Sequence, residues 1–199
     1  MLCFNGCKDK ISEDSIGFSV GSWDDNTYTN TWADIKFELP EDWSFIQPEN
    51  MPSYGTEDYF FGTDDELSES GFTDYCNLNG FYAKGSDNYP NISLYFLNNL
   101  HKYNEYNSAQ AFVDTVMEAL FSYYNNDVVT LEEGETDIAG TSYYYSLGNH
   151  GGEDQNYHFA YYAAIKGDIV IVWAVNATQD NFWMADSLIK NAVTTVSGI

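Results

Sequence analysis

The sequence predicts an α+β domain in which a central, mostly antiparallel sheet has helices packed on both faces. Three observations lead there. The apolar run from Ile169 to Val175 does not alternate with polar residues. Such a strand is buried on both faces, so its sheet must be covered above and below. The segments VVTLEE, SYYYSLGNH, NYHFAYYAAI and DIVIVWAV are separated by GETDIAG, GGEDQ and KGD, short polar turns of the kind that join an antiparallel meander. Amphipathic segments lie before and after that meander, one for each cover.

In chain order, residues 1–20 read as a short apolar, cysteine-containing start followed by a polar linker, and residues 21–199 as a single domain. In Ala33 to Leu39, Ala33, Ile35, Phe37 and Leu39 alternate with Asp34, Lys36 and Glu38, the period of a strand with one face on a core. Pro40 ends it, and Glu41-Asp42 begins a turn that brings Trp43 back over the strand edge. Residues 46–90 are acidic and glycine-punctuated, which predicts a short helix plus hairpin or a functional excursion. Within them Asn79-Gly80 is a hairpin-type pair that would join a strand near Cys76 to one near Tyr82. The next strand is NISLYFLNN, residues 91–99. A helix capped by Asn107 follows, with Phe112, Val113, Val116, Leu120 and Tyr124 on its apolar face. The closing helix is capped by Thr178 or Asp180 and offers Phe182, Leu188, Ile189 and Val193 to the sheet.

The charge balance excludes several functions. Thirty-one acidic residues face seven basic ones, a formal charge of −24, and the basic residues are all lysine. Phosphate recognition uses clustered cations and bidentate arginine, so neither nucleic acid nor nucleotide is an expected partner. An anionic membrane surface would repel the chain as well. The acidic stretch 56–71 lacks the ligand spacing of a helix-flanked calcium loop.

No hydrolase elbow, zinc-protease helix or phosphate loop is present. Adjacent acids such as Glu132-Glu133 and Asp64-Asp65 carry little meaning among so many carboxylates. The expectation is therefore a non-enzymatic protein without a cofactor, a hydrolase with a carboxylate site being the remote alternative. His150 and His158 flank GGEDQNY and could approach each other across a hairpin to hold a metal. Two partly exposed strand histidines is the simpler expectation, with no metal. Trp23, Trp43, Tyr54, Tyr59 and Phe60 lie near loops, where aromatic faces could stack on an extracellular glycan or another small ligand. The leading reading is nevertheless a protein partner, recognised through an apolar patch rimmed by acids, with the glycan or small ligand as its alternative.

LCFNGC followed by KDKISEDS resembles the end of a bacterial lipoprotein signal, in which a small residue precedes the acylated cysteine. The resemblance implies lipid attachment at Cys7, an extracytoplasmic location, membrane-anchored or secreted, and membrane contact by the anchor only. Phe4 and Asn5 depart from the usual pattern. A cytoplasmic chain with free thiols, or a disulfide from Cys3 or Cys7 to Cys76, is the alternative; three cysteines cannot all pair within one chain.

The element order resembles the PsbP-like α/β/α sandwich, a fold shared by an extrinsic photosystem protein and a Ran-binding protein. The stretch GSWDDNTYTNTWADIKFELPEDW resembles the start of small lipoproteins of anaerobic gut Firmicutes, through Gly21, Trp23, Tyr28, Asn30, Phe37, Pro40 and Trp43. Glu41-Asp42 replaces the turn pair often found there. The resemblance implies a binding or assembly module of a bacterial cell surface and brings no catalytic residues with it.

Overall fold

In the computed structural model the strand β11 (Ile169–Thr178) is buried along the whole of its apolar run. Residues 13–46, 59–60, 64, 77–85, 90–99, 106–124, 127–152 and 155–197 are described. The remaining strands of the main sheet are β4 (Ser44–Phe45), β5 (Tyr59–Phe60), β6 (Asn77–Lys84), β7 (Asn91–Asn98), β8 (Val128–Ile138), β9 (Thr141–Gly152) and β10 (Gln155–Lys166). Their order is β4-β6-β7-β11-β10-β9-β8, with β5 pairing in parallel on β6. This places β11 mid-sheet, with β7 and β10 antiparallel on either side.

Strand parity divides the core in two. Ile169, Ile171, Trp173 and Val175 enter one cluster, while Val170 and Val172 enter the other. The second cluster is closed by α1 (Ala109–Tyr123), which buries Phe112, Val113 and Met117. Ser108 rather than Asn107 is its N-cap, its hydroxyl accepting from the Ala111 amide at 3.0 Å. This satisfies one of the amides that the first helical turn leaves without a partner.

The helix-clad sandwich is corrected on the opposite face. A second antiparallel sheet covers it, in the order β1 (Ser22–Asp24), β2 (Thr27–Asn30), β3 (Ile35–Glu38) and β12 (Val193–Thr194). α2 (Phe182–Ala192) stands beside this sheet and puts Phe182, Ala185 and Ile189 into the same core. The protein is thus mostly β, two antiparallel sheets with two α-helices among the described residues. Of its strands only β3 lies in a stretch with readable alternation; β1, β2 and β12, two to four residues long, carry too little periodicity to announce a sheet. The N-cap of α2 is Asn181, which makes no side-chain cap bond; the Thr178 hydroxyl instead donates to Asn181 Oδ1 at 3.0 Å.

Asn79-Gly80 is also corrected: it lies inside β6, at a register shift opposite β7, and makes no hairpin turn. A Cβ at Gly80 would stand 3.0 Å from the Tyr28 hydroxyl and 3.1 Å from the Leu94 carbonyl oxygen. Glycine is favoured here by the close approach of Tyr28 from the small sheet and of the neighbouring strand at a bulge. Tyr28 is gripped from the other side as well. Gly21 has φ +82° and its absent Cβ would fall 2.5 Å from the same hydroxyl, which donates to the Val20 carbonyl at 2.5 Å. Asn30 Nδ2 donates to the Ser19 carbonyl at 2.8 Å and its Oδ1 accepts from the Ala33 amide at 2.8 Å. Trp23 packs on Tyr28, and Phe37 stacks on Phe81. Gly21, Trp23, Tyr28, Asn30 and Phe37 therefore act as packing residues of the small sheet.

Candidate functional site

The main sheet ends at β8, and no described strand pairs with its outer side. β8 pairs inward with β9 from Val128↔His150 to Ile138↔Thr141. The turn between them is Ala139-Gly140, both at positive φ, the geometry that a two-residue hairpin loop needs. The Asp137 carboxylate accepts from the Gly140 amide at 2.8 Å and fixes that turn. A register shift between Thr130 and Glu132 makes Leu131 the extra residue of a bulge. Between its buried ends the strand is largely open to solvent. Val129 is 57% exposed and Leu131 47%, unusual for apolar residues in an edge strand.

Register gives the facing of each side chain. Glu133, Glu135 and Asp137 pair with Ser146, Tyr144 and Ser142 and lie on the α1 face; Val129 and Glu132 lie on the α2 face. On that second face a polar cluster joins β8, β9, β10 and α2. The Tyr145 hydroxyl donates to Glu132 Oε1 at 2.6 Å. The Tyr162 hydroxyl donates to Asp186 Oδ1 in a short contact, and Lys190 Nζ donates to Asp186 Oδ2 at 3.0 Å. Lys190 also lies over the Tyr145 and Tyr162 rings, 5.6 Å from each centroid. The bond to Glu132, followed by burial, pushes Tyr145 up to about 12; burial, followed by the bond to Asp186, raises Tyr162. Both phenols stay protonated at neutral pH. The cluster clamps α2 to the sheet, its carboxylate satisfied by one hydroxyl and one ammonium.

Lys190 is seven residues from Trp183, two helical turns, so the two share the flank of α2 that leans toward β9 and β8. Trp183 is 58% exposed, and Met184 beside it is also exposed. The other four tryptophans are buried or packed against the core. Val129 and Leu131 on β8 and Trp183 and Met184 on α2 are thus exposed apolar residues of these two elements.

The histidines proposed as metal candidates are not brought together. His150 pairs with Tyr157 and faces α1, whereas His158 pairs with Asn149 and faces α2, so the sheet lies between them. Among the described residues no group of three His, Cys, Asp or Glu is placed to hold a metal. His150 is stacked on Tyr124, with centroids 3.8 Å apart, and on Tyr157. Burial lowers its pKa and Asp127 opposes that effect.

His158 is 7% exposed, not a partly exposed strand residue, and neither ring nitrogen has a hydrogen-bond partner. Phe182 lies 5.3 Å from its ring, and burial lowers its pKa. Unpaired buried polar atoms cost about 1–3 kcal/mol, so His158→Phe is expected to stabilise the fold by roughly that amount. Below an unfolded pKa near ~6.5 the unfolded chain takes up a proton that folded His158 takes up only at lower pH. Stability is lost as pH falls through that window. Urea titrations at about pH 7.5 and about pH 5.5 should show the advantage of the Phe variant growing on acidification; a constant gap would exclude this role for His158.

Of the aromatic candidates, Trp43 is buried in the core, its amide donating to the Pro40 carbonyl in the expected turn. Trp23 packs on Tyr28, Phe45 and Phe81, at 5.6, 5.0 and 5.3 Å. Neither presents an open stacking face. Tyr59 and Phe60 form β5; Tyr54 and Cys7, like Cys3 and Cys76, lie outside the described residues. Glu132 and Glu133 point to opposite faces of β8 and form no carboxylate pair. The sequence reads VVTLEE as strand but GETDIAG as a turn; this is corrected by β8, which runs on through Ile138 and makes Glu135 and Asp137 strand residues.

No family model matches the sequence, and no curated protein matches it. Among solved structures the chain is similar to cyanobacterial PsbP (CyanoP) from Synechocystis sp. PCC 6803, with a TM-score of 0.51 and 11% identity over 88% of this chain and 98% of that one. Looser likenesses are LpqN of Mycobacterium tuberculosis, involved in cell envelope biogenesis (TM-score 0.44, 14% identity, 80% and 82% of the two chains), and a protein of Bacteroides thetaiotaomicron (0.46, 10%, 85% and 48%). The likeness to CyanoP gives the fold as PsbP-like and carries no function with it.

Proposed function

We propose that this chain is a non-enzymatic binding or assembly module of a bacterial cell surface, extracytoplasmic and lipid-anchored through Cys7, that holds a protein partner at β8. The observation that carries the reading is the eleven-residue outer edge of β8, which itself carries exposed Val129 and Leu131. Unpaired strand edges are templates for pairing with another chain, and exposed apolar groups rimmed by acids mark protein contacts. The polar cluster under α2 supports a non-catalytic role, because its charged groups are spent on one another. Among the described residues no helix is long and apolar enough to cross a membrane, and the reading assigns membrane attachment to the acylated cysteine alone. A glycan-binding role is less well supported, since Trp23 and Trp43 are packed inward.

Two measurements test this. Expressed from its natural reading frame, the chain should incorporate a labelled fatty acid and Cys7→Ser should not; an unlabelled wild-type chain would refute the anchor. A photo-crosslinking residue at Val129 should give a discrete protein adduct on whole cells, while the same residue at exposed Asp42 should not. No adduct at Val129, or equal adducts at both positions, would refute the docking edge.

A further inference from the structure

We infer that the occupant of the β8 edge is a basic, extended segment of another protein, added to the sheet as one more strand with lysine or arginine at every second residue. The inference rests on the protein-partner reading above and names the chemistry of the partner.

The edge supplies the geometry. Strand β8 (Val128–Ile138) uses its inner side on β9, and no described strand takes up its outer side. An extended peptide is the ligand that matches such a row of backbone donors and acceptors, and pockets or charges at alternate positions then select its sequence. Glu133, Glu135 and Asp137 occupy alternate positions on one face of β8, about 6.4–6.8 Å apart along the strand. All three are exposed, and among the described residues none is in a salt bridge with a lysine. Residues directly across an added strand would face them at cross-strand distance, where opposite charges attract and like charges repel. At the other end of the strand Val129 and Leu131 offer apolar contact to the same segment.

The charges decide between occupants. A second copy of this chain, paired antiparallel edge to edge, would set two carboxylate combs against each other on molecules that each carry −24. A neutral strand would leave the comb uncompensated. A basic strand neutralises it and is drawn toward the acidic surface before contact. If the acids serve only to keep strands away from the edge, no peptide will bind there.

The test uses the whole chain and two fluorescent peptides about ten residues long, one alternating Lys with Val and Thr, the other with Gln in place of Lys. The Lys peptide is expected to bind roughly tenfold more tightly or better, as three favourable cross-strand charge pairs imply. The gap should narrow at about 300 mM salt, where screening shortens the reach of the charges. The variant Glu133→Gln/Glu135→Gln, which spares the turn-fixing Asp137, should lose most of that preference while melting as the parent does. Bound Lys peptide should slow amide exchange along β8. Equal binding of the two peptides would overturn the basic-partner inference and leave the protein-partner reading standing. Lys-peptide binding without protection of β8 would overturn the added-strand geometry, and failure of both peptides would overturn the inference altogether. Absence of the Val129 adduct on cells would instead remove the reading on which it rests.

Discussion

Trp173→Ala is expected to lower the unfolding free energy by about 3–5 kcal/mol, the range for deleting a large aromatic from a packed core. Trp173 is fully buried in central β11, with its ring 6.1 Å from Phe37 and 5.7 Å from Phe81. Phe37 comes from the small sheet and Phe81 from the main one, so the indole fills the space where the layers meet. The cavity would be lined by rings from two rigid sheets, which can collapse only partly. Urea denaturation followed by intrinsic fluorescence measures the loss. Tyr123→Ala, at an exposed helix end, should stay within about 0.5 kcal/mol of the parent. Similar losses from both variants would mean that Trp173 is not at the centre of the fold.

The second large effect concerns the clamp on α2. Tyr162→Phe removes the hydroxyl that donates to buried Asp186, and a hydrogen bond to a charged group contributes about 1.5–3 kcal/mol. The loss should be of that size, even though Lys190 remains on the other carboxylate oxygen. Asp186→Leu alone strands the Tyr162 hydroxyl, while Lys190, partly exposed, can turn to water. The double variant Tyr162→Phe/Asp186→Leu should therefore cost less than the sum of the two single variants, because it leaves neither partner unsatisfied. Strict additivity would show that the two side chains do not act as a pair.

The legible parts of this fold are those that a local pattern encodes. The unbroken run at residues 169–175 required burial on both faces, and β11 has it. The apolar stripe containing Phe112 and Val113 required a helix, and α1 has it. What the pattern could not carry is nonlocal. β12 is two residues long and belongs to the small sheet only because it pairs with Phe37 and Lys36 far earlier in the chain. Asn79-Gly80 has the composition of a turn, but Tyr28 and Leu94, from other strands, make the glycine a point of close approach. His150 and His158 are near in sequence, yet the β9–β10 register pairs them with Tyr157 and Asn149 and so puts them on opposite faces. VVTLEE was readable as a strand, but its place at the edge depends on the order of seven strands, which no local window contains. The α2 clamp is hidden for the same reason, since Tyr162 and Asp186 are 24 residues apart.

The openness of the β8 edge is tested most directly by residue-resolved amide hydrogen exchange on the free chain. Amides of β11 should exchange only through global unfolding, whereas along residues 128–138 every second amide, the set pointing away from β9, should exchange rapidly. Uniformly slow exchange along the whole of β8 would show that its outer side is already occupied, and would contradict the docking role assigned to it.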